Sequence, residues 1–153
     1  MQFNRYYNLN EAIEFSGDEV YEDGKKIAEL SVDEVENVTK EEVISYFDDD
    51  LIPGERDNVM KYIRSLKLPK VFTYVWVQYL RVLPTQRGQG RGSEIINTLA
   101  MHYPPGTLLA LSAEEISSGK SGSSLKEVIQ FYRQNGFTMV KDKDGKVFGF
   151  RVQ

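Results

Sequence analysis

The sequence VFTYVWVQYLRVL, residues 71–83, and the PTQRGQGRGS that follows it, residues 84–93, decide the fold of this chain. The first part is rich in β-branched and aromatic residues and too apolar for an exposed strand, which predicts a long strand at the centre of a sheet. Pro84 ends that strand, and a glycine-rich turn leads into SEIINTLAMHY, residues 93–103, where apolar residues recur at helical spacing. This order of strand, turn and helix predicts an α/β (α+β) fold around one sheet.

The segments downstream continue the alternation of strands and helices. TLLALSA, residues 107–113, predicts a second buried strand, and residues 124–127 have the spacing of a helix capping box. The helix that follows ends at Gly136, and a hairpin forms around Asp144-Gly145. One face of this helix is predicted to be buried: Leu125, Val128, Ile129 and Tyr132. Strand–helix–strand crossovers of this kind predict neighbouring parallel strands.

Upstream of the central strand, the sequence predicts a hairpin and then two helices. Asp23-Gly24 is a turn signal between two predicted strands. Thr39 is predicted to cap the first helix. Pro53 is predicted to open the second helix in its first turn, and Pro69 to close it.

Composition limits the classes of function. A length of 153 residues with 41% apolar and 27% charged residues suits one globular domain, and the chain has no cysteine and one histidine, His102. These counts exclude a disulfide framework, a thiolate metal site and a multi-histidine metal site, so no metal is expected. The first residues lack the pattern of a signal peptide, and no apolar run approaches the roughly 20 residues that span a bilayer, so a soluble, cytoplasmic protein without membrane contact is expected.

Charge is divided unevenly along the chain. Residues 1–60 carry 17 acidic and 5 basic side chains, whereas residues 61–153 carry 6 acidic and 14 basic ones. The acidic half favours a cationic partner, although an acidic surface that only aids solubility fits equally well. The basic half includes the glycine turn, where exposed main-chain N–H groups at a helix start form a natural anion site. Its spacing does not fit a dinucleotide fingerprint, and a turn with a purely structural role is the alternative.

Two motifs in this order resemble those of the GNAT superfamily, the acetyl-CoA-dependent N-acyltransferases. RGQGRG, residues 87–92, matches the family pattern R/Q-x-x-G-x-G/A and is preceded by the usual V-x-P at residues 82–84. FYRQNGF, residues 131–137, matches the pattern L/F-Y-x-x-x-G-F. The resemblance covers residues 71–153, a little over half of the chain.

The resemblance implies one domain over residues 1–153, with a mixed sheet whose two parallel strands splay apart and which helices flank. Residues 1–70 would form the acceptor side and residues 71–153 would bind acetyl-CoA, the co-substrate. The implied activity is an N-acetyltransferase, in which a primary amine attacks the thioester directly. Leu80 and Val82 would pair with the pantetheine arm, and the diphosphate would lie on the glycine turn: Arg87, Gly88, Gln89, Gly90, Arg91, Gly92 and Ser93.

The resemblance also suggests catalytic residues. Tyr132 resembles the family tyrosine that protonates the leaving thiolate as a general acid, although its ring could simply fill the core. Glu114 and Glu115, at the end of the second strand, are the candidate bases, because the glutamate that some members carry in the central strand has no counterpart here. A catalytically inactive module that binds acyl-CoA or has a regulatory role is therefore the alternative.

The expected partner is an amine-bearing acceptor, either a small molecule or a protein, and the acidic half favours a cationic one. Nucleic acid is disfavoured because the acidic first half opposes a broad phosphate-binding face. A homodimer is left open. Trp76 is expected to pack within the central strand.

Overall fold

The computed structural model describes residues 6–7, 13–114 and 124–153, with the first two as backbone. The strands are β1 (Tyr6–Tyr7), β2 (Ile13–Ser16), β3 (Glu19–Glu22), β4 (Lys25–Val38), β5 (Phe72–Val82), β6 (Leu108–Ser112), β7 (Thr138–Lys141) and β8 (Val147–Val152). The helices are α1 (Lys40–Phe47), α2 (Asp57–Ser65), α3 (Arg91–His102) and α4 (Leu125–Gln134). A short 3-10 turn, Pro84–Gln86, follows β5.

All eight strands form one mixed sheet in the order β1-β2-β3-β4-β5-β6-β8-β7. The pair β5–β6 is parallel because α3 carries the chain back across the sheet, and the other neighbours are antiparallel. One core cluster lies against α3 and α4, and a second lies against α1 and α2. The predicted mixed sheet flanked by helices is confirmed, with the predicted central strand at β5.

A β-bulge at Gln78 separates the two ends of β5. Tyr79 is the partner of Ser31 in β4, but the next residue of β4, Val32, is the partner of Val77, which leaves Gln78 as an extra residue. Such a residue bends the strand and increases its twist. Pairing with β6 stops at the same place, after Val77↔Leu111, although β5 runs on to Val82. Because β6 itself ends at Ser112, β5 extends past its parallel partner beyond the bulge.

The bulge also changes which side chains of β5 face α3 and α4. Before it, Val75 and Val77 belong to the core cluster on that face, and after it Leu80 does, with Val82 packed against it. Odd-numbered residues thus give way to even-numbered ones. Because side chains alternate along a strand, one extra residue is enough to reverse the pattern.

Local signals for the helices are mostly confirmed. Thr39 and Ser124 each cap a helix through a complete capping box. The predicted start of the second helix at Pro53 is wrong, because α2 begins at Asp57. Gly54 has a φ of +86°, which interrupts the helical path directly after Pro53. The predicted burial of Leu125 is also wrong, since this residue in the first turn of α4 is 37% exposed.

Candidate functional site

The N-terminus of α3 is left open by the glycine turn. Its N-cap residue is Gly90, in the left-handed conformation with a φ of +73°, and no side chain caps the helix. The helix's first backbone bond runs from Glu94 N to Gly90 O, so the N–H groups of residues 91–93 precede it. By contrast, α1 and α4 both have capping boxes. Open N–H groups together with the helix dipole favour an anion at this point.

The end of β5 beyond the bulge presents main-chain groups beside this turn. Leu83 N donates to Ile27 O at 2.9 Å, so the main chain of Leu83 faces β4. In an antiparallel pair this direction alternates, and Leu80 and Val82 therefore turn their N–H and C=O groups away from β4. Arg87 Nε donates to Val82 O at 3.0 Å from that side, which agrees with this direction.

These features border a cavity of about 430 Å³, which we call the glycine-turn cavity. The predicted coenzyme-binding residues line this cavity, with the exception of Gln89. Gln89 is exposed in the turn. The full lining is Leu80, Val82, Gln86, Arg87, Gly88, Gly90, Arg91, Gly92, Ser93, Glu127, Val128, Phe131 and Tyr132. The structure thus brings together residues from β5, the turn, α3 and α4.

Tyr132 reaches this cavity from the buried face of α4. The residue is 1% exposed, and its ring lies between those of Phe131 and Phe137, at centroid distances of 4.9 and 5.2 Å. Burial raises the pKa of Tyr132 above its ordinary value. The phenol therefore keeps its proton at neutral pH, which is the state that a general acid needs.

Gly92 lies where α4 approaches the start of α3 closely. A Cβ atom at this position would lie 3.1 Å from Cζ of Phe131, closer than such contacts normally are. Phe131, Gln86 and Glu127 were not predicted as site residues. Phe131 lies inside the FYRQNGF motif and could have been found there, whereas no local signal marks Gln86, which is buried beneath the turn.

Arg91 lines the cavity but is already engaged by carboxylates. Its Nη1 lies 2.6 Å from Glu22 Oε2 and 3.3 Å from Glu94 Oε1. Glu22 is the last residue of β3, so this ion pair joins the hairpin of the acidic half to the helix start. An anion that binds at the turn would compete with Glu22 for this guanidinium.

A polar network holds the start of α3 against the end of α4. Asn135 Nδ2 donates to Ser93 Oγ at 3.2 Å, and Asn97 Nδ2 donates to Asn135 Oδ1 at 3.2 Å. Arg151 in β8 donates to both Asn97 Oδ1 and the carbonyl oxygen of Asn135, at 2.9 and 3.0 Å. These bonds fix the turn relative to Tyr132.

A second cavity of about 600 Å³ lies on the other face of the sheet, and we call it the aromatic cavity. Its lining is Val35, Tyr46, Phe47, Asp48, Asp49, Arg56, Tyr74, Trp76, Ser112, Glu114, Lys146 and Phe148. Trp76, expected to pack in the central strand, is half-buried here. The rings belong to the core cluster of α1 and α2 or pack against it, whereas the glycine-turn cavity borders the cluster of α3 and α4.

The two candidate bases have different outcomes. Glu114 lines the aromatic cavity, where its Oε1 and Oε2 accept from Val147 N at 2.9 and 3.2 Å. Glu114 does not line the glycine-turn cavity, which contains Tyr132. The aromatic cavity nevertheless lies beside the point where pairing between β5 and β6 ends, because Trp76 and Ser112 line it there. Glu115 lies outside the described residues.

Metal-binding clusters and membrane-spanning helices are both absent from the described ranges. No group of three or more His, Cys, Asp or Glu side chains there could hold a metal ion. None of the helices in the described part of the chain is long and apolar enough to cross a membrane.

Comparisons with known proteins give a likeness to a solved structure. No family model matches the chain, and no curated protein sequence matches it. Among solved structures, it is similar to Arabidopsis thaliana Naa50 in complex with the bisubstrate analogue CoA-Ac-MVNAL. The identity is 13% and the TM-score 0.45, over 97% of this chain and 82% of that chain.

Proposed function

We propose that this protein is an N-acetyltransferase that moves the acetyl group of acetyl-CoA to a primary amine. The observation that carries the proposal is the glycine-turn cavity, where three features meet: the uncapped N-terminus of α3, the outward main chain of Leu80 and Val82, and Tyr132. Together they suit a ligand with a diphosphate, an amide-bearing arm and a thioester. The role of each residue follows from the kind of atom that it offers.

The diphosphate would lie on the N–H groups that open α3, where glycine lets the main chain approach closely. Arg87 and Arg91 would add positive charge there. The pantetheine arm would pair with Leu80 and Val82 as an added strand along the end of β5 beyond the bulge, because the main-chain groups of these residues face away from β4. This path takes the thioester towards the opening between β5 and β6.

In the reaction, the neutral amine attacks the acetyl carbonyl carbon, which forms the new C–N bond and a tetrahedral intermediate. Collapse of this intermediate breaks the C–S bond and expels the thiolate. Tyr132 would give its proton to the sulfur, since burial keeps the phenol protonated. The nitrogen loses one proton, for which Glu114 is the candidate acceptor from the other face, and solvent restores the proton of Tyr132.

A non-catalytic acyl-CoA-binding or regulatory module is the second candidate. The observation in its favour is the hydrogen bonding of Glu114, whose two carboxylate oxygens both accept from Val147 N. A carboxylate used in this way holds the start of β8 in place, which is a structural role that needs no proton transfer. The module would use the same glycine-turn cavity but release no thiol.

Two measurements separate these functions. Calorimetry should detect binding of coenzyme A and acetyl-CoA to one site. A thiol-release assay with acetyl-CoA and a panel of primary amines should then show release that depends on the amine. Binding without amine-dependent release would support the module, and the absence of binding would refute both.

A further inference from the structure

The aromatic cavity has walls that suit an organic cation. The ring centroids of Trp76 and Phe148 lie 6.5 Å apart, and those of Trp76 and Phe47 lie 6.0 Å apart. Tyr46 lies 5.7 Å from Tyr74 and is half exposed. Ring faces attract ammonium groups, and the face of tryptophan does so most strongly.

The carboxylates at one side of this cavity are not balanced by the protein. Asp48 caps the C-terminus of α1, and Asp49 follows it. The helix dipole is negative at this end, and α1 has no basic residue in its last turn. Neither aspartate forms an ion pair with the described part of the chain, and the carboxylate of Asp49 accepts one hydrogen bond there, from Leu51 N at 2.9 Å. Their negative charges stand at the negative end of a helix dipole with no cation to compensate them in that part of the chain, so a ligand is the better explanation for them.

The basic side chains of the cavity do not remove this imbalance. Arg56 lies 2.8 Å from Asp144 and 5.4 Å above the ring of Phe148, which uses its charge within the protein. Lys146 is exposed to solvent. Within the described part of the chain, the carboxylates of Asp48 and Asp49 therefore outnumber Lys146, the one cation of this cavity that no carboxylate neutralises at ion-pair distance.

We infer that the aromatic cavity binds a small aliphatic diamine or polyamine, the acceptor of the proposed reaction. An amine must be uncharged when it attacks, so a site for cations cannot be recognising the reacting nitrogen at that moment. It recognises a second nitrogen, which stays protonated near Asp48, Asp49 and the ring of Trp76. The aliphatic chain then places the first nitrogen towards the opening between β5 and β6. A volume of about 600 Å³ is that of a small-molecule pocket.

The inference rests on the proposed function for the reaction, but binding can be tested without acetyl-CoA. Trp76 is the one tryptophan of the chain, so its fluorescence reports on this cavity alone. We would titrate the protein with 1,5-diaminopentane and with 1-aminopentane, which differ in the second nitrogen. Calorimetry should give at least about tenfold tighter binding of the diamine, and that binding should weaken with added salt.

Asp48→Asn together with Asp49→Asn should weaken diamine binding by roughly three- to thirtyfold, because two nearby carboxylates are removed without a change of shape. The control is Asp50→Asn, the same change at a residue that does not line the cavity. This variant should bind the diamine as the unaltered protein does. Circular dichroism should show that all three proteins are folded.

Equal affinities for the two amines, or full diamine binding in the double variant, would overturn the inference. If the diamine binds but no thiol is released, the cavity is a diamine site and the proposed reaction is wrong. If thiol release is as efficient with 1-aminopentane as with the diamine, the reaction stands and the inferred acceptor class is wrong.

Discussion

The two cavities lie on opposite faces of one sheet and offer different chemical groups to a ligand. The glycine-turn cavity offers main-chain N–H groups and the end of a helix dipole, both fixed by the backbone. The aromatic cavity offers rings and carboxylates, all of them side chains from α1, β5, β8 and the segments that follow α1 and β6. Main-chain donors suit a ligand that is the same throughout a family, whereas side chains can change without altering the fold.

The glycine-turn cavity leaves a signature in the sequence and the aromatic cavity does not, because their residues are distributed differently along the chain. Residues 86–93 supply most of the glycine-turn cavity in one short segment. The aromatic cavity draws on residues from Val35 to Phe148, spread over most of the chain. A contiguous site can be found by its motif, but a dispersed site becomes visible only when the sheet register is known.

The largest effect is expected at Tyr132, which separates chemistry from packing in the glycine-turn cavity. Tyr132→Phe keeps the ring contacts with Phe131 and Phe137 and removes the hydroxyl. We expect kcat to fall by roughly 10²–10⁴-fold, the usual scale for the loss of a general acid, with coenzyme affinity unchanged. Steady-state kinetics and calorimetry measure the two quantities. A changed KM with unchanged kcat would assign Tyr132 to binding.

The matched control is Tyr103→Phe, which removes a phenol hydroxyl that is also buried but borders neither cavity. Its kcat should be unchanged. The pH profile adds a second check, since burial raises the pKa of Tyr132. A general acid acts while it is protonated, so kcat should not fall on its account as pH rises towards the ordinary tyrosine pKa of about 10. A fall governed by an ordinary tyrosine pKa would contradict the role.

The second effect concerns the main-chain anion site. Gly90→Leu introduces a side chain where the residue has a φ of +73° and lines the glycine-turn cavity. We expect affinity for coenzyme A to fall by about a hundredfold or more, because the diphosphate can no longer approach the N–H groups. Gly17→Leu is the control, since Gly17 also has a positive φ, of +60°, but borders neither cavity. Equal coenzyme affinity in both variants would refute the site.

The third effect tests the link between the two faces. Glu114→Gln keeps an oxygen that can accept from Val147 N but removes the basic carboxylate. If Glu114 takes the amine proton, kcat should fall by about a hundredfold, the lower end for a general base, while coenzyme affinity stays the same. Glu41→Gln, on the exposed side of α1, is the control. An unchanged kcat for Glu114→Gln would leave the proton to water.

The smallest effect concerns the carboxylate that already occupies Arg91. Glu22→Gln weakens the 2.6 Å ion pair and leaves the guanidinium available to the diphosphate. We expect coenzyme A to bind about two- to fivefold more tightly, in line with the modest energy of a partly exposed ion pair. Glu19→Gln is the control, because Glu19 pairs with Lys26. Weaker binding in Glu22→Gln would show that Glu22 positions Arg91.

Much of the fold could be predicted because its signals act over a few residues. The capping boxes of α1 and α4 depend on residues three positions apart, and Gly136 ends α4 with a φ of +86°. The central strand was clear from its own composition. The start of α2 was wrong because Pro53 is a helix signal only when the following residues can continue the helix, and Gly54 does not.

The sequence alone was enough to identify the glycine turn, since glycine at positions 88, 90 and 92 between a strand and a helix provides no side chain that could cap the helix. The point where pairing between β5 and β6 ends became known only from the tertiary structure. The bulge at Gln78 arises from the pairing of β5 with β4, a strand distant in sequence: Ser31 Oγ donates to Gln78 Oε1 across 47 residues. Strand register depends on contacts between such distant segments, and this register decides which side chains of β5 face each cavity.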